Sequence, residues 1–377
     1  MNWLAAPAVL AGIYHLIALV AGLRFRRAKH GQVEHRQECR FHPVSILKPV
    51  HGRDPEFYEA IRSHALADYP EFEILFGVND PGDPAQQDIA RLRAEFPERA
   101  IRLVQCRRDM PNGKVAVLAE LARVARYPLL VVNDSDIRVE KDYLRVVTAA
   151  LETANAGLAT CLYRARGASR AACWEALGIA TDFAPSVLVA RAVGVAEFAL
   201  GSTMVFRAAD LERIGGFVAI GDYLADDYQL GRHITELGGR VVLAPTVVET
   251  HLSSKTWGDA WRHQLRWSRT IRVSRAAGYL GYVITNASVW AVLAALAGAW
   301  PVAVASLAVR ILAGVATGAL ALGDANTARY WFLIPVRDLW GFAVWAAGLA
   351  GSTVEWRGET LRLSRDGRIA RPDGSFA

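Results

Sequence analysis

Apolar and polar positions follow two different regimes along this chain. From residue 41 to about residue 250, short apolar runs alternate with polar stretches of helical spacing. Val44-Ser45-Ile46-Leu47 reads as a short buried strand closed by Lys48-Pro49, and a helix is expected from Glu56 to Leu66. The strand Glu73 to Val78 comes next, followed by the turn-rich loop Asp80-Pro81-Gly82-Asp83-Pro84. Gln86 to Phe96 places Ile89, Leu92 and Phe96 on one helical face. Ile101 to Val104 and Leu129 to Val132 read as strands, with a helix from Lys114 to Val124 between them. This alternation predicts an α/β, Rossmann-like domain: a mostly parallel sheet covered by helices on both faces.

The second regime lies at the two ends. Leu4 to Leu23 carries no charge and is long enough to cross ~30 Å of hydrocarbon. Basic residues follow it, in Arg24-Phe25-Arg26-Arg27-Ala28-Lys29, rather than precede it. That order predicts a retained anchor, with residue 24 onward in the cytoplasm, rather than a cleaved leader. After Arg275 three more apolar stretches appear: Tyr279 to Trp300, Val302 to Leu322 and Tyr330 to Ala350. The last two contain Arg310 and Arg337-Asp338, charges expected to face protein or to pair. The tail from Trp356 is basic, with Arg357, Arg362, Arg365, Arg368 and Arg371. A cytoplasmic tail conflicts with four full crossings from an outside amino end. Tyr330 to Ala350 is therefore expected to be interfacial or re-entrant.

Composition agrees with this division. The 377 residues are 53% hydrophobic, enough for a soluble core and several apolar spans. The net charge of +6 comes with Arg clusters flanking apolar segments, which favours an anionic membrane surface. No nucleic-acid-binding motif accompanies it, so no nucleic-acid partner is expected. The four cysteines, Cys39, Cys106, Cys161 and Cys173, show no paired spacing, and scattered buried thiols are expected.

The candidate chemistry is a series of acidic clusters at strand ends. Asn79-Asp80 and Asn133-Asp134-Ser135-Asp136 each follow a buried strand, where open α/β sheets bind ligands. A D-x-D in an extended segment directs both carboxylates to one side, toward a divalent ion and a diphosphate. Asp226-Asp227 is an acidic pair at a helix start, in which one carboxylate raises the pKa of the other and can serve as a general base. The helix dipole alone also accounts for such a pair. Lys114, after Asn112-Gly113, is placed to neutralise a diphosphate. His251 is a candidate third metal ligand beside Asp134 and Asp136. Arg266-Trp267 lies in a basic-aromatic helix that reads either as an interfacial anchor or as Arg266 meeting a leaving diphosphate and Trp267 walling an acceptor site. Together these features point to nucleotide-sugar chemistry beside a membrane.

The ordered set Leu47-Lys48-Pro49, Asn79-Asp80, Asn133-Asp134-Ser135-Asp136, Gly215-Gly216-Phe217, Asp226-Asp227-Tyr228 and Arg266-Trp267 resembles ceramide glucosyltransferases and their bacterial relatives. The resemblance covers nearly the whole chain. It implies an inverting membrane glycosyltransferase of the GT-A fold that uses a UDP-sugar and Mg2+ or Mn2+. Within it, Lys48, Pro49, Asp80, Lys114 and Asp134 are expected at the nucleotide-sugar, and Asp134, Asp136 and His251 at the metal. Asp226, Asp227, Arg266 and Trp267 are expected at the reaction. Position 263 departs from the (Q/R)-x-x-R-W pattern, being His263 here with Gln264 one place late. The stretches Asp109 to Lys114, Leu200 to Phe206, Gly221 to Tyr228 and Trp261 to Trp267 are most similar to the hopanoid branch. That branch adds N-acetylglucosamine to bacteriohopanetetrol. Ceramide glucosylation from UDP-glucose is the nearest alternative, ahead of a processive polysaccharide synthase or a non-catalytic nucleotide-sugar scaffold. The acceptor expected is a polycyclic or sphingoid lipid at the cytoplasmic membrane. The expected layout is an anchor over 1–23, a cytoplasmic catalytic domain over 24–250, and an interfacial basic region over 251–278. Membrane segments over 279–350 and a tail over 351–377 complete it.

Overall fold

A computed structural model describes residues 3–31, 41–107, 109–153, 155–356 and 358–370. Cys39, Arg357 and Arg371 lie outside the described residues. The chain folds as two compact units. One, the sheet unit, comprises 31–163, 196–251 and 367–377; the other, the helical unit, comprises 1–30, 164–195 and 252–366.

The sheet has seven strands: β1 (Val44–Val50), β2 (Phe72–Val78), β3 (Ala100–Gln105), β4 (Leu129–Val132), β5 (Ala156–Arg166), β6 (Met204–Arg207) and β7 (Arg240–His251). Their order is β3-β2-β1-β4-β6-β5-β7. β1 to β4 are parallel, in the register Ile46↔Ile74 and Ile46↔Val131. Side chains of period two divide between the two faces. Ile46, Ile74 and Val131 enter one buried cluster, while Leu47, Leu75, Leu130 and Val132 enter the other. Both faces are thus covered, as a parallel sheet requires. Each such side chain contributes about 1.5–3 kcal/mol by leaving water.

β6 runs antiparallel to both β4 and β5. The strand-helix alternation gave no sign of this half, since it carries neither the spacing nor the crossover helices of the first half. The helix Gly113–Val124 buries Val115, Leu118 and Leu121 along one stripe. The side chain of Asn112 caps it, accepting from the backbone N–H groups of Lys114 and Val115.

In the helical unit, three helices among the described residues are long and apolar enough to cross a membrane: Ala6–Gly31, Arg170–Ala192 and Trp300–Ala321. A fourth candidate, Ala276–Thr285 with Ala287–Leu296, is bent by 55°. The segment Arg170–Ala192 was not anticipated; its Arg170, Glu175, Asp182 and Arg191 interrupt the apolar pattern. Tyr330 to Ala350 breaks up, and its longest helix, Ile334–Gly348, has 15 residues. At 1.5 Å per residue that is roughly 22 Å, short of a ~30 Å core. The expected pairing of the buried charges is observed. Arg310, 1% exposed, donates to Asp338 at 2.8 Å and to Asp182 at 2.6 Å. Among the described cysteines, Cys106 and Cys161 are buried, Cys173 is half-buried, and all three are free.

Candidate active site

The carboxyl ends of β1 and β4 and the start of the helix Asp226–Glu236 gather one charged cluster within the sheet unit. Its centre is Lys114. The ammonium lies 2.8 Å from Asp134 Oδ1 and 3.1 Å from Asp226 Oδ2. Burial opposes the charge on Lys114, but Asp134 and Asp226 outweigh it and raise its pKa.

Asp227 is held differently. Its Oδ2 accepts from the Gly201 N–H at 2.9 Å and its Oδ1 from the Tyr228 N–H at 2.8 Å. Burial first, and then the negative charge of Asp226, push its carboxyl up to about 6. Burial also raises Asp226, against the pull of Lys114. The pair occupies the first turn of its helix, so the dipole account of the acidic pair and the chemical account apply together.

Three residues to which the sequence reading assigned no role set this geometry. Gly201 sits in a turn closed by Thr203 N–H to Leu200 O. A methyl at Gly201 would lie 3.4 Å from a carboxylate oxygen of both Asp134 and Asp227. Asn133, fully buried, donates to the Ser202 carbonyl at 2.8 Å and so ties the end of β4 to that turn. Asn112, besides capping its helix, donates to the Tyr223 carbonyl at 2.7 Å and anchors the loop before Asp226. A buried Asn at a strand or helix end is the only sequence signal for the last two.

The extended geometry expected for Asp134 and Asp136 is not what forms. Asp134 to Ile137 is a turn closed by the Ile137 N–H on the Asp134 carbonyl. Asp134 turns to Lys114, and Asp136 accepts from the Thr250 hydroxyl. Thr250 precedes His251, the last residue of β7. His251 Nδ1 is buried without a hydrogen-bond partner. Burial and the nearby Asp134 push Asp136 up to about 6. Asp54, another residue not anticipated, accepts from Ser135 Oγ at 2.6 Å and adds negative charge near Asp136. Among the described residues, no three His, Cys, Asp or Glu side chains are arranged to hold a metal ion by themselves.

Lys48 and Pro49 lie within β1. Lys48 is fully buried and donates to the Asp134 carbonyl at 3.0 Å. Burial lowers it to about 7, against the pull of Asp136 and Asp134. Asp80 is exposed and accepts from the Gly82 N–H at 2.8 Å, the ordinary loop-capping contact. Arg266 and Trp267 belong to the helical unit, on the helix Trp257–Ser274. Trp267 packs against Phe183 and His263, and His263 is paired with the buried carboxylate of Glu175.

A family profile described as "Glycosyl transferase family 21" matches residues 4–369. The chain belongs to that family. Ceramide glucosyltransferase 1 of Caenorhabditis elegans is 26% identical over 258 residues, covering 65% of this chain and 55% of that protein. The ceramide glucosyltransferase of Candida albicans is 30% identical over 115 residues, covering 27% of this chain and 21% of that protein. The chain spans about half the length of the first two curated relatives that it matches. A mannosyltransferase from Pyrobaculum calidifontis, solved in complex with GDP-Man and Mn2+, has a similar fold. Its TM-score is 0.54 at 21% identity, over 92% of this chain and 97% of that one. The sheet of this family 21 member thus has the GT-A architecture expected of it.

Proposed function

We propose that this family 21 protein transfers a sugar from a UDP-sugar to the hydroxyl of a membrane lipid, with inversion at the anomeric carbon. The observation that carries the reading is the half-buried Asp227, fixed by two backbone N–H groups beside the cluster of Lys114, Asp134 and Asp226. A carboxylate held this way, with its proton affinity raised, is suited to take a proton from an alcohol near neutral pH. Asp227 Oδ2 receives the proton of the acceptor hydroxyl as its oxygen attacks from the face opposite the leaving diphosphate. Asp226 stays paired with Lys114. Lys48, Pro49, Asp80, Lys114 and Asp134 bind the nucleotide-sugar, and Lys114 balances diphosphate charge. Arg266 stabilises the departing UDP, and Trp267 walls the acceptor site.

The donor set suits a hard divalent cation. Asp134 and Asp136 supply oxygens and His251 offers an unpartnered Nδ1. Mg2+ commonly takes one or two carboxylates and completes its shell with substrate phosphates. Asp134, Asp136 and His251, which do not form a metal site by themselves, would hold Mg2+ or Mn2+ only together with the donor's diphosphate, whose developing charge the ion would neutralise. The Pyrobaculum mannosyltransferase, crystallised with Mn2+, supports a divalent requirement.

N-acetylglucosamine is the sugar proposed, and bacteriohopanetetrol the acceptor, because the stretches around Lys114, Gly201, Asp227 and Arg266 are most similar to the hopanoid branch. The membrane proposed is the inner membrane, with catalysis on its cytoplasmic side, a reading supported by the apolar helices and by the basic run Arg24 to Lys29 after the first of them. Ceramide glucosylation from UDP-glucose is the second reading, favoured by the relatives named above. The test is a mass-spectrometric assay of the full chain in detergent. It receives UDP-glucose and UDP-N-acetylglucosamine together with bacteriohopanetetrol and ceramide. An N-acetylhexosaminyl hopanoid supports the first reading, a hexosyl ceramide supports the second, and no glycolipid product with either lipid overturns both.

A further inference from the structure

Polar groups from five separate helical segments converge on one cavity inside the helical unit. The helix Ala6–Gly31 contributes Tyr14 and His15, and Arg170–Ala192 contributes Asp182. The break in the bent pair contributes Thr285, Trp300–Ala321 contributes Arg310, and Ile334–Gly348 contributes Asp338. Two of these contributions come from irregular backbone. Asp182 lies in a π-helical turn, Ile179–Phe183, and Thr285 lies at the 55° bend. Irregular backbone within apolar helices persists where it lines a cavity, and π-turns concentrate at functional sites.

The charges in this lining are already satisfied. Arg310 donates to Asp338, to Asp182 and, at 3.0 Å, to the Thr181 carbonyl. The second oxygen of Asp338 accepts from Ser288 at 2.7 Å. The unspent hydrogen-bonding capacity belongs to neutral groups. Tyr14 Oη and His15 Nδ1 are both buried and have no partner. His15 is 2% exposed, and its Nε2 lies 2.8 Å from the Thr285 carbonyl. That contact puts the ring proton on Nε2 and leaves Nδ1 as an acceptor. Tyr14, edge-on to His15 with ring centroids 5.0 Å apart, supplies a donor.

Arg337 Nε lies 3.0 Å from the other oxygen of Asp182, so two cations meet two carboxylates, and one donor and one acceptor in this charge-balanced cavity match a group that is itself both donor and acceptor. An ion would upset the balance, and an apolar group would leave both atoms unpaired, at about 1–3 kcal/mol each. The enclosed space is about 10 Å³, room for a single water-sized group such as one hydroxyl.

We propose that this cavity binds a hydroxyl group, carried by a membrane-lipid head group or by an ordered water. The site is independent of which sugar is transferred. The test uses the full chain in detergent, with 1-monooleoylglycerol as probe and its diacetate as control. Binding is read by thermal shift and native mass spectrometry. If the hydroxyl is a lipid's, monooleoylglycerol binds and stabilises the protein and the diacetate does not. Tyr14→Phe and His15→Phe then each weaken that binding about fivefold or more, the value of one hydrogen bond. UDP binding, read in parallel, reports whether each variant is folded. If the hydroxyl is water, neither lipid binds. A high-resolution map then shows one water within hydrogen-bond distance of Tyr14 Oη and His15 Nδ1, which Tyr14→Phe displaces. Equal binding of both lipids, or a folded Tyr14→Phe variant that changes neither readout, overturns the proposal.

Discussion

Replacing Asp227 by Asn tests the proposed base while changing little else. Asn has the same shape but one acceptor where the carboxylate has two. Asp227 uses both, at 2.9 Å to Gly201 and at 2.8 Å to Tyr228. One backbone N–H therefore faces the new amide, a local loss of about 1–3 kcal/mol. Removing the charge beside Asp226 offsets part of that, because Asp226 raises the Asp227 carboxyl and the repulsion is mutual. Lys114 keeps both its partners, Asp134 and Asp226. The fold and UDP binding should thus persist while turnover falls. Losing a positioned general base costs about 10²–10⁴ in rate, or roughly 3–5 kcal/mol of barrier. The pH profile carries the sharper signature. A base whose carboxyl titrates at about 6 is ionised above that value, so the native rate should fall as pH drops through about 6. In Asp227→Asn that acid limb should vanish along with most of the rate. Release of UDP from UDP-sugar plus lipid, followed from pH 5 to pH 9, measures both. Unchanged turnover, or an acid limb that survives in the variant, would refute the assignment.

Lys114→Met removes the cation that lowers Asp226 and Asp227, so those two carboxyls should hold protons to higher pH and move the acid limb upward. Stability should fall toward the lower end of about 3–5 kcal/mol, since the Asp134 side chain is 42% exposed; thermal unfolding measures it. Chelation with EDTA should abolish transfer, with Mn2+ or Mg2+ restoring it, and full activity after chelation would remove the metal from the mechanism. Arg310→Met leaves Asp338 buried without its cation and should cost about 3–5 kcal/mol in detergent; a Tm equal to that of the native protein would contradict the pairing.

Strands β1 to β4, their helices and the N-terminal apolar helix were legible from pattern alone. Their periodicity is local, so Ile46 and Leu47 must face opposite sides whatever the rest of the chain does. The same holds for residue type at strand ends. A carboxylate after a buried strand is placed near a ligand crevice by the sheet itself, and Asp134, just beyond β4, does meet Asp226, at a helix start, around Lys114. Tertiary structure decided the rest. The antiparallel strand β6 pairs through contacts that no spacing records. Asp134 and Asp136 bend into a turn because Lys114 and Thr250, from other elements, draw them apart. Gly201 donates to Asp227 across 26 positions. Tyr14, Asp182, Arg310 and Asp338 are scattered polar exceptions in apolar sequence, and only packing shows that they line one cavity. Local sequence dictates period and propensity, whereas the partner of a buried polar group is chosen by whichever distant segment can satisfy it.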